Sequence, residues 1–117
     1  MSTPRHDDEA LIPQPPMTTA ALRAAVAQIA PAHLGQFVEH LDQATEQAAR
    51  QSTVAPLLGF LRQWAEFVAI HRHPVTAARL HDLERQVAVA TDRQTVTVLL
   101  AEIRAITDAA RGDATDE

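Results

Sequence analysis

Apolar side chains recur at α-helical spacing through most of the chain. The clearest repeat follows Pro31 and keeps the i, i+3, i+4, i+7 rule, with charged and amide side chains largely on the opposite face. Its members are Leu34, Phe37, Val38, Leu41, Ala44 and Ala48. Such a stripe is typical of an amphipathic helix with one face on a core. Pro31 suits the first turn of this helix, because the amide that proline lacks has no helical partner there.

Four further helices are predicted from the same spacing and from residues that favour helix ends. Their expected bounds are Thr18 or Thr19 to Ile29, Ser52 or Thr53 to His73 with Pro56 in the first turn, about Val75 to Ala90, and Asp92 to Gly112. The third helix is apolar around much of its circumference, which places it at the centre. Residues 94–98 alternate as a strand would, but the long helical continuation outweighs that pattern. The predicted fold class is therefore all-α, a compact bundle of four to five helices in which short connections favour antiparallel neighbours.

The two ends of the chain differ from this body. Residues 1–16 hold four of the seven prolines, and we expect them to form a disordered, Pro-rich acidic arm. Residues 17–111 are predicted to be a single helical bundle domain, and residues 112–117 a disordered acidic tail. Leu11 and Ile12 are the only sizeable apolar side chains of the arm. We expect them to dock either on the bundle or on a partner.

Charge and composition exclude several classes of protein. Residues 17–111 carry nine arginines and nine acidic side chains, so the net charge of −5 lies in the two ends. A neutral body is a poor match for a phosphate backbone, which makes nucleic acid an unlikely partner. The chain has no cysteine for a disulfide scaffold. Its acidic start and the lack of a long apolar run predict neither a secretory signal nor a membrane span, and hence a cytoplasmic protein.

Two stretches of the chain carry a family resemblance. The runs PPMTTAALRAAVAQIAPAHLGQFVEHLDQA and FLRQWAEFVAIHRHPVTAARLHDLE resemble a family of small actinobacterial proteins classed as a domain of unknown function, the one numbered 6247. The resemblance extends from about Leu11 to Arg111. It implies a small helical protein and brings no established activity, so it supports the fold and assigns no site.

Histidine is the first residue type to consider for chemistry, since the chain has six. His71 and His73 lie at the predicted end of the third helix, where both could reach one metal ion, and His81 follows one element later. A zinc site, however, needs about four ligands, and a charged histidine at a helix C-terminus also complements the helix dipole. We therefore predict no metal site and no cofactor. His33 and His40, seven residues apart, are expected on a half-exposed helix flank.

No catalytic set is visible in the sequence. Cysteine is missing, no GxSxG motif occurs, and the three glycines form no phosphate-binding loop. The acidic pairs fall on faces that we expect to be solvated, where carboxylates do no acid–base work. We therefore predict that the protein is not an enzyme. Gly35 and Gly59 lie inside predicted helices, where we favour a close helix–helix approach over a ligand-facing gap.

The aromatic residues Phe60, Trp64 and Phe67 recur at helical spacing on the third helix. A stripe of this kind is usually core, and we interpret it so. The alternative is a partner groove in which Trp64 is an exposed anchor.

A basic corner is the other candidate. Arg72 and Arg79 bracket the connection between the third and fourth helices, and His73 lies between them. The layout is similar to a helix-turn-helix, which gives a DNA-binding transcriptional regulator as an alternative function. Asp82 and Glu84 in the second helix of that unit would repel phosphates, which argues against it.

These observations favour a non-catalytic protein–protein interaction module, a small regulatory or accessory protein of antitoxin-like or adaptor type. Its arm would order on an unidentified protein partner, and a homo-oligomer is a further candidate. Two alternatives to this function remain. One is the DNA-binding regulator, and the other is a small-ligand-binding bundle with a cavity beside Gly59 and Trp64. The candidate partner-binding residues are Leu11, Ile12, Arg72, His73 and Arg79.

Overall fold

Five α-helices make up most of the chain in the computed structural model, which describes residues 9–115 and the side chains of residues 9–114. They are α1 (Thr19–Ile29), α2 (Leu34–Gln51), α3 (Ala55–His71), α4 (Pro74–Val89) and α5 (Arg93–Thr115), and a short 3-10 turn (Pro31–His33) precedes α2. Within residues 9–115 there is no strand, and residues 94–98 belong to α5. The predicted all-α fold is confirmed.

Side-chain caps and prolines set most of the helix starts. The hydroxyl of Thr18 accepts a hydrogen bond from the Ala21 amide at 3.2 Å at the start of α1. The carboxylate of Asp92 accepts one from the Thr95 amide at 2.9 Å at the start of α5, and this bond lowers the pKa of Asp92. Proline lies in the first turn of α3 and of α4, as predicted for Pro56.

Helix α3 lies at the centre, as its apolar circumference predicted. It contacts each of the other four α-helices, and six of its side chains are buried: Phe60, Trp64, Ala65, Val68, Ala69 and Ile70. The fully buried ring of Phe37 on α2 packs edge-on against Phe60 and Trp64, with ring centroids 5.0 and 5.2 Å apart. Trp64 is therefore a core residue, and the alternative of an exposed anchor is wrong.

Helices α4 and α5 contact each other as a hairpin. Leu83 of α4 and Leu99 of α5 are also buried, although neither belongs to the main core cluster. The connecting residues 90–92 form the distal end of the hairpin.

The prediction that Gly112 ends the fifth helix is wrong. Helix α5 continues through Gly112 to Thr115, so residues 112–115 of the predicted tail are helical. Ala110 and Ala114, one turn apart on this helix, are both buried against the main core. Because burial of this face outweighs the weak helix propensity of a single glycine, the helix does not stop there. Residues 116 and 117 lie outside the described residues.

The interpretation of Gly35 and Gly59 as points of close helix approach is also wrong. A Cβ atom built at either position would meet nothing within 4 Å, and both residues are exposed. Neither glycine is therefore required by packing.

Replacing Gly59 with alanine should stabilise the protein. The position lies inside α3 and leaves open space for the methyl group, so the change removes only the conformational freedom of glycine. We expect the free energy of unfolding to rise by about 0.5–1 kcal/mol in urea titrations. A destabilised Gly59→Ala protein would show that this glycine has a role that the packing does not reveal.

The N-terminal arm lies on the bundle in its described part. Residues 9–16 form no helix or strand, and the Leu11 amide donates a hydrogen bond to the Arg72 carbonyl at 2.7 Å. Ile12 packs against the main core, and the side-chain amide of Gln14 donates to the Ala65 carbonyl at 3.1 Å. The sequence left open whether Leu11 and Ile12 dock on the bundle or on a partner. In the structure this segment lies on the bundle. The prediction of disorder for residues 1–8 lies outside the described residues.

Neighbouring substitutions can test whether the arm contributes to stability. Ile12→Ala removes a side chain that packs on the core, and we expect it to lower the free energy of unfolding by about 1–2 kcal/mol. Leu11→Ala is the matched control, because the Leu11 side chain is 57% exposed. Its effect should stay within about 0.5 kcal/mol. Equal effects of the two changes in denaturant titrations would contradict the docking of Ile12.

Candidate functional site

Arg72 connects three parts of the molecule. Its guanidinium Nη1 donates to the Ile12 carbonyl of the arm at 3.3 Å, and its Nη2 lies 3.7 Å from the carboxylate of Asp113 near the end of α5. The side chain is only 15% exposed. The structure therefore brings together Arg72, Leu11 and Ile12, three of the five predicted partner-binding residues, in a contact that holds the arm on the bundle.

Arg79 lies away from that contact, on α4. Its guanidinium is 2.7 Å from the carboxylate of Glu102 on α5 and 3.5 Å from that of Asp82 on its own helix. Asp82 also pairs with Arg85 at 3.3 Å. Carboxylates therefore offset the charge of Arg79, so the predicted corner does not present a concentrated basic face.

His73, the fifth predicted residue, precedes Pro74 at the turn between α3 and α4. It lines an open groove of about 420 Å³ between α3, α4 and α5, whose floor is made largely of alanine and isoleucine side chains. His71 does not line this groove. The two histidines that the sequence suggested as a pair therefore lie on different sides of the turn.

His71 instead faces His81 of α4. The two Nε2 atoms are 3.2 Å apart and the ring centroids are 5.3 Å apart. The other nitrogen of His71, Nδ1, is 2.9 Å from the Phe67 carbonyl, and that of His81 is 3.4 Å from the carboxylate of Glu84. The His71 ring also stacks on Phe67 with a centroid distance of 4.0 Å. In each ring the Nδ1 atom has a contact on its own helix, and the Nε2 atom faces the other ring.

This histidine pair lies in a second open groove, of about 360 Å³, that Trp64 and His33 also line. The His33 ring contacts Phe67 and lies 6.1 Å from the ring of His71. The Nδ1 atom of His33 and the Nε1 atom of Trp64 are buried without a hydrogen-bond partner. Burial lowers the pKa of His71, and the neighbouring histidines add to this effect. The groove therefore contains an imidazole whose neutral form is favoured, and two buried polar atoms without a partner lie beneath its surface.

The pairing of His71 with His81 was missed in the sequence because it depends on the angle between α3 and α4. The spacing of ten residues matches no motif, whereas His71 and His73 are adjacent enough to suggest a pair. Among the described residues, no three histidine, cysteine or acidic side chains are placed to form a metal centre together. Within the same part of the chain, no helix has the length and apolarity needed to cross a membrane.

Comparison with known proteins identifies the family of the chain and adds no activity. The chain is a small helical-bundle protein, and its residues 11–111 match the model described as "Family of unknown function (DUF6247)". The chain belongs to this family, which confirms the resemblance noted in the sequence. Neither a curated protein nor a solved structure matches it.

The stability of the fold should fall in mild acid because of His71. Since the folded state lowers the pKa of this ring, the unfolded chain takes up a proton at a higher pH than the folded protein does. We expect the free energy of unfolding to decrease as the pH is lowered from about 7.5 to about 5.5, where ordinary histidines titrate. His33, His81 and Glu84 are the titratable groups that act on this ring.

Denaturant titrations across this range, in buffer with a chelator, measure the effect. The His71→Gln protein should show a smaller decrease, because glutamine cannot titrate. An unchanged slope in His71→Gln would assign the acid sensitivity to other groups.

Proposed function

We propose that this protein is a non-catalytic protein–protein interaction module, a small regulatory or accessory protein, and that the α4–α5 hairpin carries its binding surface. The observation behind this proposal is the exposure of apolar side chains near the distal end of the hairpin. Val89, Val98 and Leu100 are 77%, 61% and 48% exposed. Exposed apolar side chains on a small soluble domain can form a contact surface with a partner.

The arrangement on α5 explains why these side chains are exposed. Leu99 is buried and so faces the rest of the protein. Successive residues of an α-helix are separated by about 100°, which places Val98 and Leu100 on the two flanks of the helix beside Leu99. Bundle packing covers only the face of Leu99. An apolar partner could cover either flank.

The composition of this segment fits a contact surface. Residues 93–101 contain a single charged side chain, Arg93, followed by glutamine, threonine, valine, leucine and alanine. Depletion of charge is what distinguishes the core of a protein interface from the remaining surface. The next charged residue, Glu102, is paired with Arg79.

The other predicted surface, the arm, receives less support. Residues 9–16 already lie on the bundle, and Ile12 and Arg72 are engaged in holding them there. An antitoxin-like mechanism in which the arm orders on a partner would first have to break these contacts. The ion pairs of Arg79 likewise favour a protein partner over nucleic acid. We expect such a module to act in the cytoplasm, with a second copy of the chain as one candidate partner.

The proposal can be tested with a double substitution on the hairpin. Val98→Gln with Leu100→Gln keeps good helix formers on α5 while removing the apolar flanks. Val54→Gln is the matched control, because Val54 is 64% exposed but lies between α2 and α3. Both proteins should keep the circular dichroism spectrum of the wild type.

Capture of partners from an extract of the native host, together with sedimentation of the purified protein, gives the readout. Wild-type and Val54→Gln proteins should retain the same partner, or the same self-association. The hairpin variant should bind at least about tenfold more weakly, which is the loss of a modest hot spot. Equal binding by the hairpin variant, or a wild-type protein that neither captures a partner nor self-associates, would refute the proposal.

A further inference from the structure

We propose that His71 and His81 form a binding site for a divalent transition-metal cation of the zinc, nickel, copper or cobalt group. The site lies in the groove beside Phe67, where α3 meets α4. Two imidazole nitrogens from different helices face each other there at 3.2 Å.

The hydrogen bonds on the far side of each ring show which nitrogens are free to bind. A carbonyl oxygen only accepts, so the contact of His71 Nδ1 with the Phe67 carbonyl places the ring hydrogen on Nδ1. The carboxylate of Glu84, 3.4 Å from Nδ1 of His81, favours the same tautomer in that ring. In the neutral rings, both Nε2 atoms then carry lone pairs that point at the same space. Two facing lone pairs repel, and either a proton or a cation between them would remove that repulsion.

The separation of the two nitrogens suits a shared metal. With metal–nitrogen bonds of about 2.05 Å and a tetrahedral angle, two imidazole ligands of zinc have their nitrogens about 3.3 Å apart. The observed 3.2 Å differs from this by about a tenth of an ångström, so both rings could bind one ion with little movement.

The outer hydrogen bonds also match those of metal-binding histidines. Such histidines usually donate their second N–H to a backbone carbonyl or a carboxylate, which fixes the tautomer and the ring orientation. Here one ring uses the Phe67 carbonyl and the other uses Glu84. Stacking on Phe67 further restrains His71, whereas the His81 side chain is half exposed.

The site would be an open one. Only two protein ligands meet in the described part of the chain, so water or a ligand from a binding partner would complete the coordination shell. Imidazole ligands favour zinc, copper and nickel, whereas magnesium and calcium prefer oxygen. The proposed ligand class follows from this difference. The site is separate from the exposed hairpin residues, so this inference does not depend on the proposed function.

Metal titration of the full-length, tag-free protein tests the proposal. After treatment with a chelator and its removal, zinc chloride is added in a calorimeter, and cobalt chloride is added in a parallel absorption experiment. We expect one equivalent to bind, with cobalt absorption bands that show nitrogen ligation. Magnesium chloride should give no binding heat.

Two histidine variants identify the ligands. His81→Gln removes a half-exposed ligand with little effect on packing and should weaken binding at least about tenfold. His73→Gln is the matched control, since His73 lies close in the chain but lines the other groove, and it should bind as the wild type does. Circular dichroism of both variants checks that the bundle remains folded.

Three outcomes would overturn the proposal. An absence of zinc and cobalt binding would mean that the two rings are joined only by a hydrogen bond. Full binding by His81→Gln would place the metal elsewhere, as on other histidines of the chain. A loss of binding in His73→Gln equal to that in His81→Gln would remove the assignment to the facing pair.

Discussion

The packing of Phe37 against Phe60 and Trp64 is the contact on which the other features depend. It joins α2 to α3, the helix that all the others contact. The aromatic row continues along α3, because the ring centroids of Trp64 and Phe67 are 4.9 Å apart and the Phe67 ring stacks on that of His71. The position of the histidine pair at the surface is thus set by rings in the core. This coupling explains how a chain with few aromatic residues can hold the partly buried imidazole of His71 in one orientation.

Local chemistry determined the features of the fold that could be predicted from the sequence. Thr18, Asp92 and the prolines at positions 56 and 74 act on their own helix ends, and the observed starts lie within about three residues of those expected. Gly112 misled the prediction because its local preference opposes the burial of Ala114, which only the folded bundle creates. Gly59 also misled the prediction. A glycine inside a helix suggests that another helix packs closely against it, and no atom of another element lies near this position.

The candidate sites were much less predictable, since each joins residues from different helices. The sequence marked Arg72 and Arg79 as one basic corner, but Arg72 turns to the arm and Arg79 to Glu102. It suggested that His71 pairs with His73, but the turn between α3 and α4 places His81, and not His73, next to His71. Residue type and spacing identified the chemistry of these side chains. Their partners depend on helix angles, which periodicity does not specify.

The contact of Arg72 with the arm also bears on the order in which the chain folds. Most helix neighbours are close in sequence, but the contact between Ile12 and Arg72 spans 60 residues and that between Arg72 and Asp113 spans about 40. Closing such long loops has an entropic cost that contacts between residues near in sequence do not have. The arm and the last turn of α5 would therefore join last, and the same two segments would be the first to open in native-state hydrogen exchange.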